Sequence, residues 1–350
     1  MQKSIERGLI MVYIIAEIGC NHNGDFNLAK KMVDVAVSCG VDAVKFQTFK
    51  AEKLISKYAP KADYQKITTG TADSQLEMTK RLELSFEEYL ELRDYCISKN
   101  VDVFSTPFDM ESLDFLISTD MLVYKIPSGE ITNLPYLEKI GQQGKKVILS
   151  TGMAVLDEIH EAVKILQENG TTDISILHCT TEYPTPYEAL NLNVIHTLRE
   201  EFSDLKIGYS DHSIGSEVAI AAAAMGAEII EKHFTLDTEM EGPDHKASAT
   251  PEILEALVKG VRIVEKSLGR FEKLPDPVEE KNKIVARKSI VALRPIKKGE
   301  IYTEENITVK RPGNGISPMF WYKVLGKEAQ DDFEEDQVVI DSRFDAQILD

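Results

Sequence analysis

The stretch YIIAEIGCNHNG, residues Tyr13–Gly24, begins as an apolar run and ends as a polar loop. The run has the composition of a buried strand, and it leads directly into Glu17, Asn21 and His22 before Gly24 breaks it. The carboxyl ends of strands are where α/β barrel enzymes place their reactive groups. The stretch therefore predicts an α/β enzyme whose first strand brings Glu17 to the site and continues into a polar loop.

The same pattern recurs along the chain, where short apolar runs alternate with amphipathic helical stretches. The predicted strands are Val12–Gly19, Ala43–Phe49, Asp102–Phe108, Leu122–Ser128, Lys146–Gly152, Ile174–Thr181, Lys206–His212 and Glu228–Thr235. Helical patterns such as DEIHEAVKILQENG, which closes on a glycine, separate them. Eight βα units indicate a (β/α)8 TIM barrel of about 250 residues. A doubly wound open sheet is the alternative, and the lack of GxGxxG after the first strand weighs against it.

The chain has 350 residues, which is more than one barrel requires. We predict an N-terminal extension at residues 1–11, the barrel at 12–269, a linker at 270–284 and a small β-rich domain at 285–350. The linker is predicted because GRFEKLPDPVEEKNK is polar and contains two prolines. The long segment from Lys50 to Lys80 is expected to be either a lid or a surface excursion with a short helix.

Charge and composition exclude several partners. The net charge of -18 argues against binding to nucleic acid and to anionic membranes. No apolar run approaches the roughly 20 residues that a membrane span needs. The four cysteines are scattered without a CxxC pair, which predicts a reduced cytoplasmic protein with no disulfide framework.

Polar and charged side chains stand at or just after the carboxyl ends of the predicted strands. In chain order they are Glu17, Lys45, Gln47, Thr106, Lys125, Ser128, Glu130, Ser150, His178, Ser210, Asp211, His212, Glu231 and His233. Because side chains alternate along a strand, residues two apart point the same way. Such pairs are Lys45 with Gln47, Ser210 with His212, and Glu231 with His233. These side chains are expected to converge on one mouth of the barrel.

Lys45 and Lys125 lie within apolar strands, where an unpaired ammonium group is costly. Together with neighbouring hydroxyl groups they predict a pocket for a phosphate and a carboxylate. The hydroxyl groups are those of Thr106, Ser128, Ser150 and Ser210. The alternative is that each lysine pairs with a nearby glutamate or lies at an exposed strand edge.

His212 and His233 end the last two strands, which are neighbours in a barrel. Two imidazoles there fit a divalent metal whose shell is completed by oxygen ligands. The same positions also fit general acid–base groups or hydrogen-bonded structural histidines. Asp244 and His245 follow in EGPDHKAS, either as further donors or as part of a solvated turn.

Nine stretches taken together resemble the bacterial N-acetylneuraminate (sialic acid) synthase family. They are AEIGCNHNG, VKFQTFKAEKLIS, DVFSTPFD, YKIPSGE, LSTGM, LHCTTEYPTPY, GYSDHS, IEKHFTLD with GPDHKAS, and KRPGNGISP. The similarity covers nearly the whole chain from about Met11. It implies a (β/α)8 barrel followed by an antifreeze-like (SAF, β-clip) domain, in agreement with the strand count.

The resemblance also implies a reaction, in which phosphoenolpyruvate condenses with N-acetylmannosamine to give N-acetylneuraminate and phosphate. A divalent metal, Mn²⁺ or else Mg²⁺ or Co²⁺, would be held by His212 and His233. The implied catalytic residues are Glu17, Lys45, Lys125 and Glu130, with Glu17 handling the proton of the attacking water. The implied substrate-binding residues are Gln47, Thr106, Ser128, Ser150, Thr181, Tyr183, Ser210, Asp244 and Arg311.

Two features of the resemblance concern the partner subunit and the sugar. Arg311, in KRPGNG, matches a family arginine that reaches the partner's site, which implies a domain-swapped homodimer; a tight turn is the alternative. At Thr181 some members carry Asn, so the motif leaves the sugar open. The alternative product is legionaminate, made from 2,4-diacetamido-2,4,6-trideoxymannose. The pseudaminate branch, which departs from AEIG in the opening motif, ranks lower.

Other classes of protein compete with this hypothesis. An aldolase or a 3-deoxy-sugar-acid synthase can occupy the same barrel, and an antifreeze-like tail fits an ice-binding or carbohydrate-binding module. A lyase acting through a Schiff base would leave a borohydride-trapped adduct on a lysine, whereas a synthase would not.

Overall fold

The structure is a computed structural model that describes residues 11–61, 63–69 and 74–344. The chain divides into two compact units, Met1–Gly269 and Arg270–Asp350. Of the predicted extension at residues 1–11, all but Met11 lies outside the described residues. No helix in the described part of the chain is both long and apolar enough to cross a membrane.

The first unit is a (β/α)8 barrel, as predicted. Its eight parallel strands are β1 Tyr13–Gly19, β2 Ala43–Thr48, β3 Asp102–Pro107, β4 Val123–Ile126, β5 Lys146–Ser150, β6 Ile174–Cys179, β7 Lys206–Asp211 and β8 Ile229–His233. β1 is hydrogen-bonded to both β2 and β8, and β3 lies beside β4 where the ladder ends. The first and last strands are therefore neighbours, which excludes the doubly wound alternative.

Every predicted strand is present, but each is slightly shorter than predicted, mostly at its carboxyl end. β4 shows why. It ends at Ile126 because Pro127, which has no N–H to donate to a ladder, comes next. Ser128–Glu130 then forms a 3-10 turn. Several predicted strand-end residues consequently lie in the first turn of a loop rather than on a strand.

Helices follow the strands and pack their apolar faces against the barrel. They are α1 Phe26–Ser38, α2 Ala51–Leu54, α3 Asp63–Thr69, α4 Gln75–Lys80, α5 Phe86–Ser98, α6 Met110–Ser118, α7 Leu134–Gly141, α8 Leu156–Glu168, α9 Val194–Glu201, α10 Glu217–Ala224 and α11 Pro251–Leu268. In α8 the buried positions Ile159, Ala162, Val163 and Leu166 recur at helical spacing. Gly170 follows α8 at φ +117°, the left-handed region that suits the glycine predicted to close this helix.

The described residues of the segment from Lys50 to Lys80 contain three short helices, α2, α3 and α4, rather than one. A capping box starts α4: Ser74 Oγ accepts from the Glu77 N–H at 3.2 Å, and Glu77 Oε2 accepts from the Ser74 N–H at 2.9 Å. Local hydrogen bonds therefore define the start of the last of these helices.

The second unit is small and β-rich, as predicted. β9 (Ser289–Ala292) pairs antiparallel with β10 (Ile307–Lys310), and isolated bridges join other extended segments. Its helices are short, α12 Glu280–Ala286 and α13 Trp321–Val324. It has its own apolar core, which includes Ile290, Tyr302 and Val339.

The linker predicted at 270–284 is not wholly irregular, since it contains the 3-10 turn Pro277–Glu279 and most of α12. Asp276 caps the turn, accepting from the Val278 N–H at 3.0 Å, while Glu279 accepts from the Asp276 N–H at 3.0 Å. The prediction treated Pro277 as a breaker, but proline is favourable in the first turn of a helix, where its missing N–H costs nothing.

Candidate active site

Four charged side chains meet at the carboxyl ends of β1, β2, β4 and β8. They are Glu17, Lys45, Lys125 and Glu231, here called the charged cluster, and none is more than 4% exposed. Lys45 Nζ forms an ion pair with Glu17 and lies 3.8 Å from Glu231 Oε2. Lys125 Nζ lies 3.6 Å from Glu231 Oε1. Both lysines therefore have carboxylate partners, as the alternative interpretation of the lysines expected.

Hydroxyl groups predicted for the anion pocket surround the same cluster. Lys45 Nζ donates to Thr106 Oγ1 at 3.1 Å, and Lys125 Nζ donates to Ser150 Oγ at 2.7 Å. Ser210 Oγ donates to Glu231 Oε1 at 3.1 Å. The structure thus brings together two ammonium groups and three hydroxyl groups, a set of donors suited to anionic oxygens.

Glu231 stands at the centre of this cluster, although the sequence pattern assigned it no role. It was visible as a strand-end acid on the same side of β8 as His233. The sequence pattern did not show the partners of Glu231, because Lys45 and Lys125 come from other strands. Burial raises the pKa of Glu231, but the two ammonium groups and the Ser210 hydroxyl outweigh it and hold this pKa below its usual value.

Glu17 titrates differently from Glu231. Burial raises the pKa of the Glu17 carboxyl to about 7, although the Lys45 ammonium group opposes this shift. The Glu231 carboxylate raises it further by like-charge repulsion. Gln47 Nε2 donates to Glu17 Oε1 at 3.1 Å. A carboxyl that titrates near neutral pH within a buried cluster is suited to accept and release a proton.

Ser128 and Thr181 come together at the ends of β4 and β6, beside Gly152. Ser128 Oγ accepts from the Gly152 N–H at 2.9 Å and lies 3.1 Å from Cys179 Sγ. A Cβ added at Gly152 would lie 2.8 Å from Ser128 Oγ and would also overlap Thr181 Oγ1. The glycine is therefore required by the close approach of two predicted substrate-binding hydroxyl groups.

His212, His233 and Tyr183 form a cluster of rings on the other side of the mouth. The centroids of His212 and His233 are 5.5 Å apart, and Tyr183 lies 4.2 Å from His212 and 5.7 Å from His233. His212 Nδ1 bonds to the Thr180 carbonyl at 2.6 Å, which leaves its Nε2 lone pair available. His233 Nδ1 is buried with no hydrogen-bond partner among the described residues.

These two histidines fit a metal better than the other two interpretations. Burial lowers the pKa of His212 to about 4, and burial together with His212 holds the pKa of His233 well below its usual value. Both imidazoles are thus neutral at pH 7, which is the metal-binding form. No group of three or more His, Cys, Asp or Glu side chains among the described residues is placed to hold a metal. The pair would therefore supply two ligands, with oxygen atoms of substrate or water as the others.

Two other histidines, His178 and His245, are hydrogen-bonded structural residues. His178 Nε2 bonds to the Leu190 carbonyl at 2.8 Å, and His245 bonds to Thr235 Oγ1 at 2.7 Å and to Asn23 Oδ1 at 3.2 Å. His245 is thus part of a buried hydrogen-bonded turn rather than a further donor at the mouth.

A cavity of about 440 Å³ opens beside the ring cluster. Its polar wall includes Gln47, Tyr183, His233 and Asp244, all of them predicted site residues. Burial raises the pKa of Asp244 to about 6, against the effect of the Cys20 thiol, which donates to Asp244 Oδ2 at 3.6 Å. The cavity is therefore lined by groups that can hydrogen-bond a polar substrate next to the two histidines.

The rest of the cavity lining mixes apolar and polar side chains. Its apolar members include Phe49, Leu54, Met78, Leu82 and Phe108, and its polar ones include Ser56, Gln65, Gln75 and Thr79. Most of these residues belong to the segment between β2 and α5 or to its ends. The described part of this segment therefore forms a wall of the cavity, and its role as a lid stays a prediction.

The polar loop after β1 is bonded to the loop after β8. Asn21 Nδ2 donates to the Phe234 carbonyl at 2.9 Å and to Ser248 Oγ at 2.8 Å, which joins this loop to the loop after β8. His22 is buried, with Nδ1 accepting from the Gly24 N–H at 3.1 Å. Of this loop, Cys20 lines the cavity, while Asn21 and His22 support the loop from behind.

Two predicted residues lie outside these clusters. Glu130 accepts from Asn133 Nδ2 at 2.5 Å, and no contact among the described residues joins it to the charged cluster. Arg311 belongs to the second unit, where its Nε donates to the Ala286 carbonyl at 3.1 Å and its side chain is exposed. The roles inferred for both stay predictions.

Comparison with known proteins identifies the family. A model of the NeuB family matches residues 32–273, and a model of the SAF domain matches residues 287–345. The chain belongs to the NeuB family. The resemblance found in the nine sequence stretches is thereby confirmed, together with the C-terminal SAF domain.

Individual NeuB-family proteins are similar over almost the whole chain. The N,N'-diacetyllegionaminic acid synthase of Campylobacter jejuni subsp. jejuni serotype O:2 is 50% identical over 328 residues, 93% of this chain and 98% of its own. The N,N'-diacetyllegionaminic acid synthase of Legionella pneumophila subsp. pneumophila is 44% identical over 318 residues, 90% of this chain and 89% of its own.

A solved structure agrees with the fold. The crystal structure of an N-acetylneuraminic acid synthetase from Leptospira borgpetersenii serovar Hardjo-bovis is 36% identical and superposes with a TM-score of 0.70. The match covers 79% of this chain and 91% of that one. This NeuB-family chain is therefore an enzyme of the sialic-acid-synthase class, with the mouth of its barrel as the candidate active site.

Proposed function

We propose that this NeuB-family enzyme condenses phosphoenolpyruvate with 2,4-diacetamido-2,4,6-trideoxymannose, giving N,N'-diacetyllegionaminate and phosphate. C3 of phosphoenolpyruvate attacks the aldehyde carbon of the open-chain sugar. Water then adds at C2, and the tetrahedral intermediate loses phosphate by C–O cleavage. N-acetylmannosamine, the first choice from the sequence, becomes the second candidate, because the legionaminic acid synthases described above are 50% and 44% identical to this chain, whereas the N-acetylneuraminic acid synthetase is 36% identical.

The charged cluster supports the assignment of phosphoenolpyruvate. Lys45 and Lys125 carry two positive charges close to Thr106 and Ser150, and a phosphate and a carboxylate can be held by such ammonium and hydroxyl donors. The four residues of the cluster sum to zero when Glu17 is ionised, the form that can accept a proton, and to +1 once it is protonated, which favours an anion. We infer that the anion displaces part of the lysine–glutamate pairing when it binds.

Glu17 is proposed to handle the proton of the attacking water. Its carboxyl is buried, titrates at about pH 7, and is adjacent to the lysines that would hold phosphoenolpyruvate. A proton taken up at one carboxyl oxygen can later be released to solvent or to phosphate. Gln47 orients the carboxyl through its bond to Oε1.

His212 and His233 are proposed to hold a divalent metal, Mn²⁺ or else Mg²⁺ or Co²⁺. Support comes from the buried, unpartnered Nδ1 of His233 and from the Thr180 carbonyl that fixes the His212 tautomer. A metal held there would supply Lewis-acid polarisation of the aldehyde oxygen. Tyr183 and Asp244 would orient the open-chain sugar beside it.

The choice of sugar is carried by the similarity to the two legionaminic acid synthases, and the apolar side chains of the cavity are compatible with it. A 6-deoxy sugar ends in a methyl group, whereas N-acetylmannosamine ends in a hydroxymethyl group. Burying a hydroxyl group against Phe49, Leu82 and Phe108 without a partner costs free energy, while burying a methyl group is favourable. These apolar side chains can accept the methyl group of the trideoxy sugar, and Gln75 and Thr79 in the same lining can bond its polar groups.

The homodimer with Arg311 at the partner's site, and a cytoplasmic location, remain part of this proposal. The location is supported by four free cysteines, none of which forms a disulfide. Neither nucleic acid nor a membrane is proposed as a partner, given the net charge of -18.

The test is a direct comparison of the two sugars. Metal-free protein is supplied with Mn²⁺, phosphoenolpyruvate and either the diacetamido sugar or N-acetylmannosamine, and phosphate release and product mass are measured. We expect the higher kcat/KM with the diacetamido sugar, and loss of product under chelator. A higher kcat/KM with N-acetylmannosamine would reverse the choice of sugar, and a borohydride-trapped lysine adduct would point to a lyase instead.

A further inference from the structure

We propose that a buried ion pair, Asp211–Lys232, is a positioning device that keeps His212 and His233 at their working separation. Each member of the pair directly precedes one of the two histidines in the chain. The inference rests on the proposed function of those histidines. It assigns a role to two charged residues that neither the charged cluster nor the cavity uses.

The pair joins the ends of two neighbouring strands. Asp211 of β7 and Lys232 of β8 are register partners, with Lys232 Nζ 2.7 Å from Asp211 Oδ2, and both are no more than 1% exposed. Lys232 Nζ also donates to the Ser213 carbonyl at 2.5 Å. Asp211 Oδ1 accepts from the Ser213 N–H at 2.9 Å and from Ser213 Oγ at 2.7 Å. One lysine thus holds β7 and the turn after it against β8.

The pair lies on the face of the sheet opposite to the two histidines. Side chains alternate along a strand, so Asp211 and Lys232 point opposite to His212 and His233. Among the described residues, the pair is hydrogen-bonded to Ser213 and to the Tyr209 hydroxyl, which lies 3.4 Å from Asp211 Oδ1. A displacement of the rings must therefore pass through the backbone, whereas the two charges also act on the imidazoles through space.

The two histidines depend on this backbone unequally. The ring of His212 is fixed by its own bond to the Thr180 carbonyl. The Nδ1 of His233 has no such partner among the described residues. His233 is held through its backbone instead. Its carbonyl accepts from the Ala249 N–H at 2.7 Å, and the side chain of Lys232, the residue before it, bonds to Asp211 of β7. The ion pair therefore matters most for the position of His233.

Stability alone is a weak reason for such a pair. Replacing both members of a buried ion pair by uncharged residues of similar size is often neutral or even stabilising, because two charges no longer need desolvation. Removing both charges can thus separate a structural role from a positioning role. The double variant Asp211→Asn/Lys232→Met preserves approximate volume and leaves an amide oxygen for the Ser213 bonds.

The experiment uses the full chain and measures two affinities. The dissociation constant of Mn²⁺ is obtained from the electron paramagnetic resonance signal of the free ion, and that of phosphoenolpyruvate by calorimetry. In the double variant we expect Mn²⁺ to bind about 10-fold more weakly, as when a metal ligand loses its support. Phosphoenolpyruvate affinity should be unchanged. Arg262→Ala is the control, since it removes a part-buried ion pair at the other end of the barrel.

Each outcome decides the matter. Unchanged Mn²⁺ affinity in the double variant overturns the proposal. If the double variant does not fold, Ser213→Ala removes one bond to Asp211 and should weaken Mn²⁺ binding about threefold. Unchanged Mn²⁺ affinity in Ser213→Ala overturns the proposal as well.

If the wild-type protein binds no Mn²⁺, the proposed metal role fails. A crystal structure of the double variant, or of Ser213→Ala if the double variant does not fold, then decides positioning: rings still 5.5 Å apart overturn it, and displaced rings support it.

Discussion

Glu17 shows how a single residue acquires its chemistry from its surroundings. Its carboxyl group is buried, paired with Lys45 and close to a second carboxylate, Glu231. These neighbours bring its pKa to about 7. A glutamate on the surface would instead be ionised at every pH above about 5. At the residue scale, the proposed mechanism therefore depends on burial more than on residue type.

Changing Glu17 to Gln tests its role as the proton acceptor. We expect turnover to fall by about 10²-fold or more, because the amide cannot take a proton from water. Phosphoenolpyruvate should still bind, since Lys45 and Lys125 remain. The measurements are steady-state phosphate release and calorimetric binding of phosphoenolpyruvate. Normal turnover in this variant would contradict the assignment.

Changing Gln47 to Met tests the pH dependence. The bond from Gln47 lowers the pKa of Glu17, so its loss should raise that pKa further. If Glu17 must be ionised to act, the acid limb of the kcat/KM profile moves to higher pH. Gln75→Met, a similar change in the same cavity without that bond, is the control. An acid limb that stays in place in both variants would argue against Glu17.

The raised pKa of Glu17 also affects stability. Between pH 4.5 and about 7 the folded chain keeps a proton on Glu17 that the unfolded chain has released. The contribution of this group to the free energy of unfolding therefore decreases as pH rises through that window. Asp244 acts in the same direction between pH 3.8 and about 6.

At the scale of elements, α11 closes the barrel by holding the start of β1. Arg262 Nη1 donates to the Val12 carbonyl at 2.8 Å, and Nη2 lies 2.6 Å from Asp42 Oδ2. Glu265 Oε1 accepts from the Val12 N–H at 2.6 Å and from Arg262 at 2.8 Å. The last helix is thereby bonded to the first strand at the end of the barrel opposite the mouth.

Arg262→Ala should lower the free energy of unfolding by about 2 kcal/mol, because it leaves buried acceptors and a carboxylate without their partner. We expect kcat at 25 °C to change little, since the mouth lies at the other end of the strands. Denaturant unfolding and steady-state kinetics check both expectations. Arg93→Ala, which removes an exposed pair with Asp94, should change stability by less than about 0.5 kcal/mol. Equal losses in the two variants would refute the importance of the Arg262 contacts.

At the scale of the whole molecule, the chain joins a catalytic barrel to a SAF domain with a core of its own. The proposal that Arg311 serves the partner's site makes the assembly, rather than one chain, the unit of function. Mixed subunits can test this without any knowledge of the dimer geometry.

We expect chains carrying Arg311→Ala and chains carrying Lys125→Ala to be inactive alone. If Arg311 acts in trans, co-refolded mixtures should regain up to roughly a quarter of wild-type activity, because one of the two sites in each mixed dimer then has both residues. Phosphate release after mixing is the measurement, and each variant refolded alone is the control. Activity that stays at the level of the single variants would show that the site is not shared.

The barrel could be predicted from the sequence because its signals are local. Each strand is a short apolar run and each helix has its own periodicity. Both patterns are visible in the sequence without any tertiary contact being known. The same holds for the mouth residues, since polar groups at strand ends are unusual on any apolar strand. The predicted strand ends differ from the observed ones by a few residues, and the turn at Pro277 was not predicted. Hydrogen bonds in loops and caps decide both features.

The sequence by itself determined the family, the barrel, the SAF domain and most of the residues at the mouth. The tertiary structure alone decided how they work together. It placed Glu231 between lysines from two other strands, brought the pKa of Glu17 to about 7, and paired Asp211 with Lys232. The physical reason is that desolvation and charge–charge interaction depend on distances between residues far apart in the chain, and no local pattern encodes those distances.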